Sequence, residues 1–240
     1  MFRIAAFGLT TGLAIAAASA SPVPFSDPSL PQTTNPVVAN SEFNNLMRQA
    51  MDGDASSAAE LRLGDIAQFG QERNDEVARR WYSLAAAQGD GTAEEKLGDL
   101  YWQGAAGISR DRTQAVGHYK VAAGRGIASA ARKVAVAYAN GDGVPADDTQ
   151  MLRWGRKAAR AGDAEAAGMV GYAIMIGIDG SYDLVEAATL LTVASENAPS
   201  ADWRNHAAAI AQEAQSKLTR PEREALIARL ARWRSTLDGE

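Results

Sequence analysis

Two histidines, His118 and His206, and no cysteine make up the whole thiol and imidazole complement of this 240-residue chain. Nucleophilic catalysis needs a nucleophile beside a base that a third group orients, and His206 has no sequence partner of that kind. His118 stands in a slot that Trp81 and Trp154 fill at equivalent points of the chain, which reads as packing. Aspartates cluster in "NGDGVPADD" (140–148) and "GIDGSYD" (177–183), but without the alternating ligand spacing of a calcium loop. No phosphate loop, zinc spacing or nucleophile elbow is present. The residues therefore predict no catalytic group, metal or cofactor, and a protein that is not an enzyme.

The elements that carry these residues repeat. Gly53, Gly89, Gly126 and Gly162 are 36, 37 and 36 apart, and a glycine just past a helix takes the left-handed conformation without a Cβ clash. Alanine pairs precede three of them: Ala85–Ala86, Ala122–Ala123 and Ala158–Ala159. Asn74, Asp111, Asp147 and Asp183 keep the same phase at the other end, where side-chain oxygens cap helix N-termini. Gln114, Gln150 and Glu186 follow the aspartates by three residues, the spacing of a capping box. A preceding helix is marked by Leu63–Gly64, Leu97–Gly98, Val134–Ala135 and Val170–Gly171 and ends at Gly70, Gly104, Gly141 and Gly177. Each unit is thus a helix–loop–helix hairpin, and a period of this size predicts an all-α stack.

The runs "LGDLYWQGAAGISRDRTQAVGHYKVAAGRG" and "VAVAYANGDGVPADDTQMLRWGRKAARAGDAEA" resemble Sel1-like repeats, relatives of the tetratricopeptide repeat. The resemblance implies a right-handed α-solenoid of helix hairpins. Four repeats are expected over 59–199, after an N-terminal half-repeat or cap over 41–58. The first unit has two extra residues before Leu63 and a shorter loop after Gly70, and the second an extra loop residue near Ala105–Ala106. Residues 200–240 read as capping helices: Trp203, Ala207, Ile210, Ala214 and Leu218 form one stripe, and Leu226, Leu230 and Trp233 another.

Arg3, the apolar stretch Ile4–Ala18 and Ala18-Ser19-Ala20 have the layout of a cleaved signal peptide over 1–20. An uncleaved anchor is the alternative, although a span needs about 20 apolar residues. Residues 21–40 hold five prolines and read as an unstructured leader. Without cysteine the chain has neither a lipidated cysteine nor a disulfide. The expected compartment is a bacterial periplasm, with secretion as the lesser alternative and no stable membrane insertion after cleavage.

Charge is segregated. Residues 41–109 carry a net −6, residues 110–160 a net +6 and residues 161–240 a net −5. Such a pattern steers a complementary partner or merely marks solvated helix faces, and it disfavours nucleic acid. The resemblance to tetratricopeptide repeats implies contacts from the concave face lined by first helices. Carried onto this chain, the partner-binding residues are Asp65, Phe69, Glu95, Asp99, Trp102, Arg132, Tyr172 and Met175, with Gly168 at a matching position. Either these form an acidic, aromatic strip, or a neighbouring helix covers them. The family includes exported regulators of membrane sensor kinases. The expected role is a non-catalytic periplasmic interaction scaffold or regulator holding another protein, for instance the extracytoplasmic part of a membrane protein. The alternative is an envelope enzyme or accessory acting on cell-wall glycan or a β-lactam.

Overall fold

The computed structural model of the chain describes residues 41–53, 55–70, 73–178, 180 and 182–237. The expected signal peptide and Pro-rich leader lie outside them. The described residues form α-helices and no strand. In chain order these are α1 (Ser41–Met51), α2 (Ser57–Phe69), α3 (Asp75–Ala87), α4 (Gly91–Gln103) and α5 (Arg112–Gly124). Then come α6 (Ala128–Asn140), α7 (Asp148–Arg160), α8 (Ala164–Met175), α9 (Leu184–Asn197), α10 (Ala201–Ser216) and α11 (Arg220–Leu237). They divide into two compact units, the first ending at Arg125 and the second starting at Gly126.

In the first unit α2 pairs with α3 and α4 with α5, α3 packs on α4, and α1 covers α2. In the second unit α6 pairs with α7 and α8 with α9, α7 packs on α8, and α10 and α11 cover α9. These contacts bury one stripe of each helix, which supplies the stability that short isolated helices lack. The second helices begin as their sequence demands. Asn74, Asp111, Asp147 and Asp183 each accept a hydrogen bond from the backbone N–H three residues on, at 2.8–3.0 Å. Past their ends, Gly89, Gly126 and Gly162 have φ of +97°, +94° and +91°. The first helices end less uniformly. Gly141 is left-handed, whereas Gly70 is extended at φ −72° and ψ 178°. The extra loop residue of the second unit is taken up in a tight turn, with Ala105 and Ile108 exchanging backbone hydrogen bonds of 2.9 and 3.0 Å.

One contact fixes how close the two helices of a hairpin can come. A Cβ on Gly64 would clash with the ring of Tyr82, and a Cβ on Gly98 with the ring of Tyr119. At the same two positions of the α6/α7 hairpin both residues are small: Ala135 stands where the glycine was and Gly155 where the tyrosine was, and Val170 of α8 occupies the space a Gly155 Cβ would need. In α8/α9 the pair is Gly171 and Leu191, whose Cγ would lie 2.8 Å from an added Cβ. In α2/α3, α4/α5 and α8/α9 large faces small, which is how close-packed interiors fill their volume.

The capping helices behave as the stripes predict. Ala207, Ala214, Leu218 and Leu226 are buried, and Leu230 and Trp233 pack on the core. Glu222 accepts from both the backbone N–H and the hydroxyl of Thr219, each at 2.7 Å, closing one arm of a capping box. Trp154 is half-buried rather than central: it packs against the edge of the core, with the Lys157 ammonium 5.3 Å from its ring.

Candidate partner-binding site

In the first unit the first helices α2 and α4 present Asp65, Phe69, Glu95, Asp99 and Trp102. Two of the carboxylates are already engaged. The hydroxyls of Tyr82 and Tyr119 reach past the glycine notches and donate to Asp65 and Asp99, each at 2.8 Å. The Tyr82 hydroxyl also lies 2.8 Å from the side-chain amide of buried Gln68. It has one proton, so it serves the carboxylate while the amide turns its NH2 toward the hydroxyl oxygen. Burial raises both phenols far above the ordinary value, and the neighbouring aspartates, with Glu95 at Tyr119, push the same way. Both therefore remain donors at any physiological pH.

Lys96 joins the two helices across this face. Its ammonium is 3.0 Å from Asp65 and 4.9 Å from the centre of the Phe69 ring. Phe69 is 68% exposed, so one side of its ring meets a cation and much of the rest meets water. Trp102 is half-buried. Its ring is tilted 48° against Tyr119 at a centroid distance of 6.2 Å, and the Arg112 guanidinium lies 5.1 Å from its centre. Glu95 is half-buried beside them.

In the second unit the matching positions are differently occupied. Arg132 is only 18% exposed and holds Asp163 at 2.7 Å and Glu165 at 3.0 Å. Asp163 in turn caps α8 through the Ala166 N–H at 2.8 Å, so Arg132 fastens α6 to the start of α8. Met175 packs against both core clusters of the unit. Gly168 is covered by the ring of Trp203 from capping helix α10, which occupies the space a Cβ would need. Tyr172 is half-buried in the slot that Asp65 and Asp99 hold in the first unit. The exposed aromatic strip is thus concentrated on α2 and α4.

His118 completes the inventory. Its Nδ1 is 2.7 Å from Glu94 and its ring stacks on Tyr101 at 5.6 Å. Burial pushes the Tyr101 phenol up to about 12 against the opposing pull of Arg79, and Arg125 holds the other Glu94 oxygen at 3.3 Å. The imidazole therefore fills the tryptophan slot and gives a buried carboxylate a hydrogen-bond partner. Sequence reasoning missed Lys96, Glu94 and the two tyrosines. The signal was present, since Tyr82 and Tyr119 follow the packed Trp81 and His118 while Gly155 follows Trp154. Among the described residues no group of three or more His, Asp or Glu is placed to hold a metal, and no helix is long and apolar enough to cross a membrane.

The comparisons agree with this architecture. No curated protein matches the sequence. Among solved structures, the chain is similar to c5321, a protective antigen of uropathogenic Escherichia coli strains displaying an SLR fold. The TM-score is 0.64 and the identity 26%, over 81% of this chain and 40% of that one. It is also similar to a Sel1 repeat protein from Oxalobacter formigenes, at TM-score 0.56 and 29% identity, over 64% of this chain and 63% of that one. In both cases the match spans less than two thirds of the relative's own chain. The Sel1 repeat model matches residues 57–90, 92–127, 128–163 and 164–198, four consecutive units covering more than half of the sequence. With its hairpins, caps and glycine notches in the same register, the chain belongs to the Sel1 repeat family.

Proposed function

We propose that the first-helix face of the N-terminal unit captures a segment of a partner protein, anchored on Phe69 and Trp102. Sel1-repeat proteins are in general non-catalytic protein-interaction scaffolds, which supports a binding role. The observation that carries the reading is the exposed Phe69 ring on α2 together with half-buried Trp102 on α4, both on first helices of the same unit. Aromatic residues of this kind dominate binding energy where they occur in interfaces. Export is part of the proposal: the apolar stretch Ile4–Ala18 and the small residues after it deliver the chain to a periplasm. There its partner would be the extracytoplasmic part of a membrane protein, held in a regulatory complex.

The test is quantitative capture from envelope extract by the chain starting at Ser21, beside Phe69→Ala and Trp102→Ala. Each variant is expected to weaken the captured complex by about 1–3 kcal/mol. Phe69→Ala should keep the melting temperature, because most of that ring is exposed. Trp102→Ala is expected to lower stability by about 1–2 kcal/mol, since its ring packs on Tyr119. Equal capture by both variants and the parent would exclude this face.

A further inference from the structure

The second helices of the C-terminal unit, together with α11, enclose an open cleft of about 490 Å³. That size falls within the range of ligand pockets. Four guanidinium groups surround it, Arg156 and Arg160 from α7 and Arg229 and Arg232 from α11. Two of them have carboxylate partners. Arg156 forks onto Glu186 at 2.9 and 3.0 Å, and Arg229 reaches Asp183 at 3.2 Å. Arg160 and Arg232 form no ion pair among the described residues, and both are exposed at the mouth. The cleft therefore carries two positive charges in excess of its own carboxylates.

Each helix also sets its two arginines on one face, at spacings of four and three residues, where like charges repel. Surplus charge concentrated around a concavity raises the local concentration of anions. Of the remaining wall, Val185 from α9 and the indole of Trp233 are the half-buried apolar groups, while Leu190 and Thr189 are already buried. A bare inorganic anion would leave that wall wet. A segment with a carboxylate next to a hydrocarbon side chain satisfies both parts, and the Arg156–Glu186 fork is the same two-point contact that a guanidinium offers any carboxylate.

We propose that this cleft is a second docking site, for an acidic peptide segment with apolar neighbours. Its carboxylates pair with Arg160 and Arg232, and its apolar side chain lies against Val185 and Trp233. The site does not depend on the Phe69–Trp102 reading and gives the protein two surfaces of opposite electrostatic preference.

The experiment uses the 15N-labelled chain and a short blocked peptide of alternating Glu and Leu, with the Gln–Leu peptide as control. Binding of the Glu–Leu peptide should shift the Nε–Hε resonances of Arg160 and Arg232 and weaken as salt is raised. Arg160→Ala with Arg232→Ala should keep the melting temperature and lose about tenfold in affinity. Phe69→Ala should bind this peptide as the parent does, which separates failure here from failure at the first-helix face. Equal binding of the two peptides, or unchanged affinity in the arginine double variant, would overturn the proposal. So would inorganic phosphate displacing the peptide at equal concentration, which would leave a plain anion site.

Discussion

The hydroxyl of Tyr119 and the absent side chain of Gly98 are two halves of one contact. The ring fits against α4 only because Gly98 leaves the space, and only from that position does the hydroxyl reach Asp99 at 2.8 Å. Gly98→Ala should therefore displace the ring, strain the hydrogen bond and lower stability by about 1–3 kcal/mol, the usual range for overpacking. Gly117, in the middle of α5, faces open space with ordinary helical backbone. Gly117→Ala should raise stability by about 0.5–1 kcal/mol through helix propensity alone. Urea unfolding of the two variants gives the comparison, and a similar response from both would remove the notch from the account. At this scale the sequence is only half transparent. Glycine at 64 and 98 and tyrosine at 82 and 119 are visible as a pattern. That Asp65 and Asp99 accept from those tyrosines, and that Arg132 fastens α8, depends on which side chain meets which across a hairpin. Periodicity within one helix does not carry that information.

Helix ends were far more legible, because a cap involves only residues three or four apart. The four second-helix caps lie where the Asn and Asp positions put them. The first-helix caps Ser56, Asp90 and Asp163 went unseen because the series is broken by Ile127, which makes no side-chain cap. Gly124 and Gly126 allow the role of the stop to be isolated within three residues. Gly124 ends α5 in helical backbone with nothing near its Cβ position, whereas Gly126 has φ +94°. A β-branched residue at Gly126 meets the left-handed penalty of about 1–2 kcal/mol or more, while Gly124→Val should change stability by less than about 0.5 kcal/mol. The midpoints of denaturant unfolding should separate the two variants accordingly. Coincident midpoints would mean that the backbone after α5 rearranges without cost.

On the scale of the whole molecule, two kinds of surface have been assigned from charge and exposure, one acidic and aromatic in the first unit and one basic in the second. The proposed export gives a direct check. Expressed from its own start, the chain should be recovered in a soluble envelope fraction with its N-terminus at or near Ser21. An intact Met1 in the membrane pellet would instead favour an anchor. The difference between Gly98/Tyr119 and Ala135/Gly155 also restricts how such a protein can be recombined. A crossover in the loop inside a hairpin, joining α6 to α5, would bring a tyrosine ring against the Cβ of Ala135; joining α4 to α7 would set Gly98 against Gly155 and leave a hole. A crossover beside Gly126 keeps each of these glycines with the side chain that fills its space, whereas one beside Gly162 parts Gly155 from Val170 of α8. The α2/α3 and α4/α5 hairpins, and not their single helices, are therefore the units that duplication, deletion or deliberate grafting can move intact, while α6 to α9 move together.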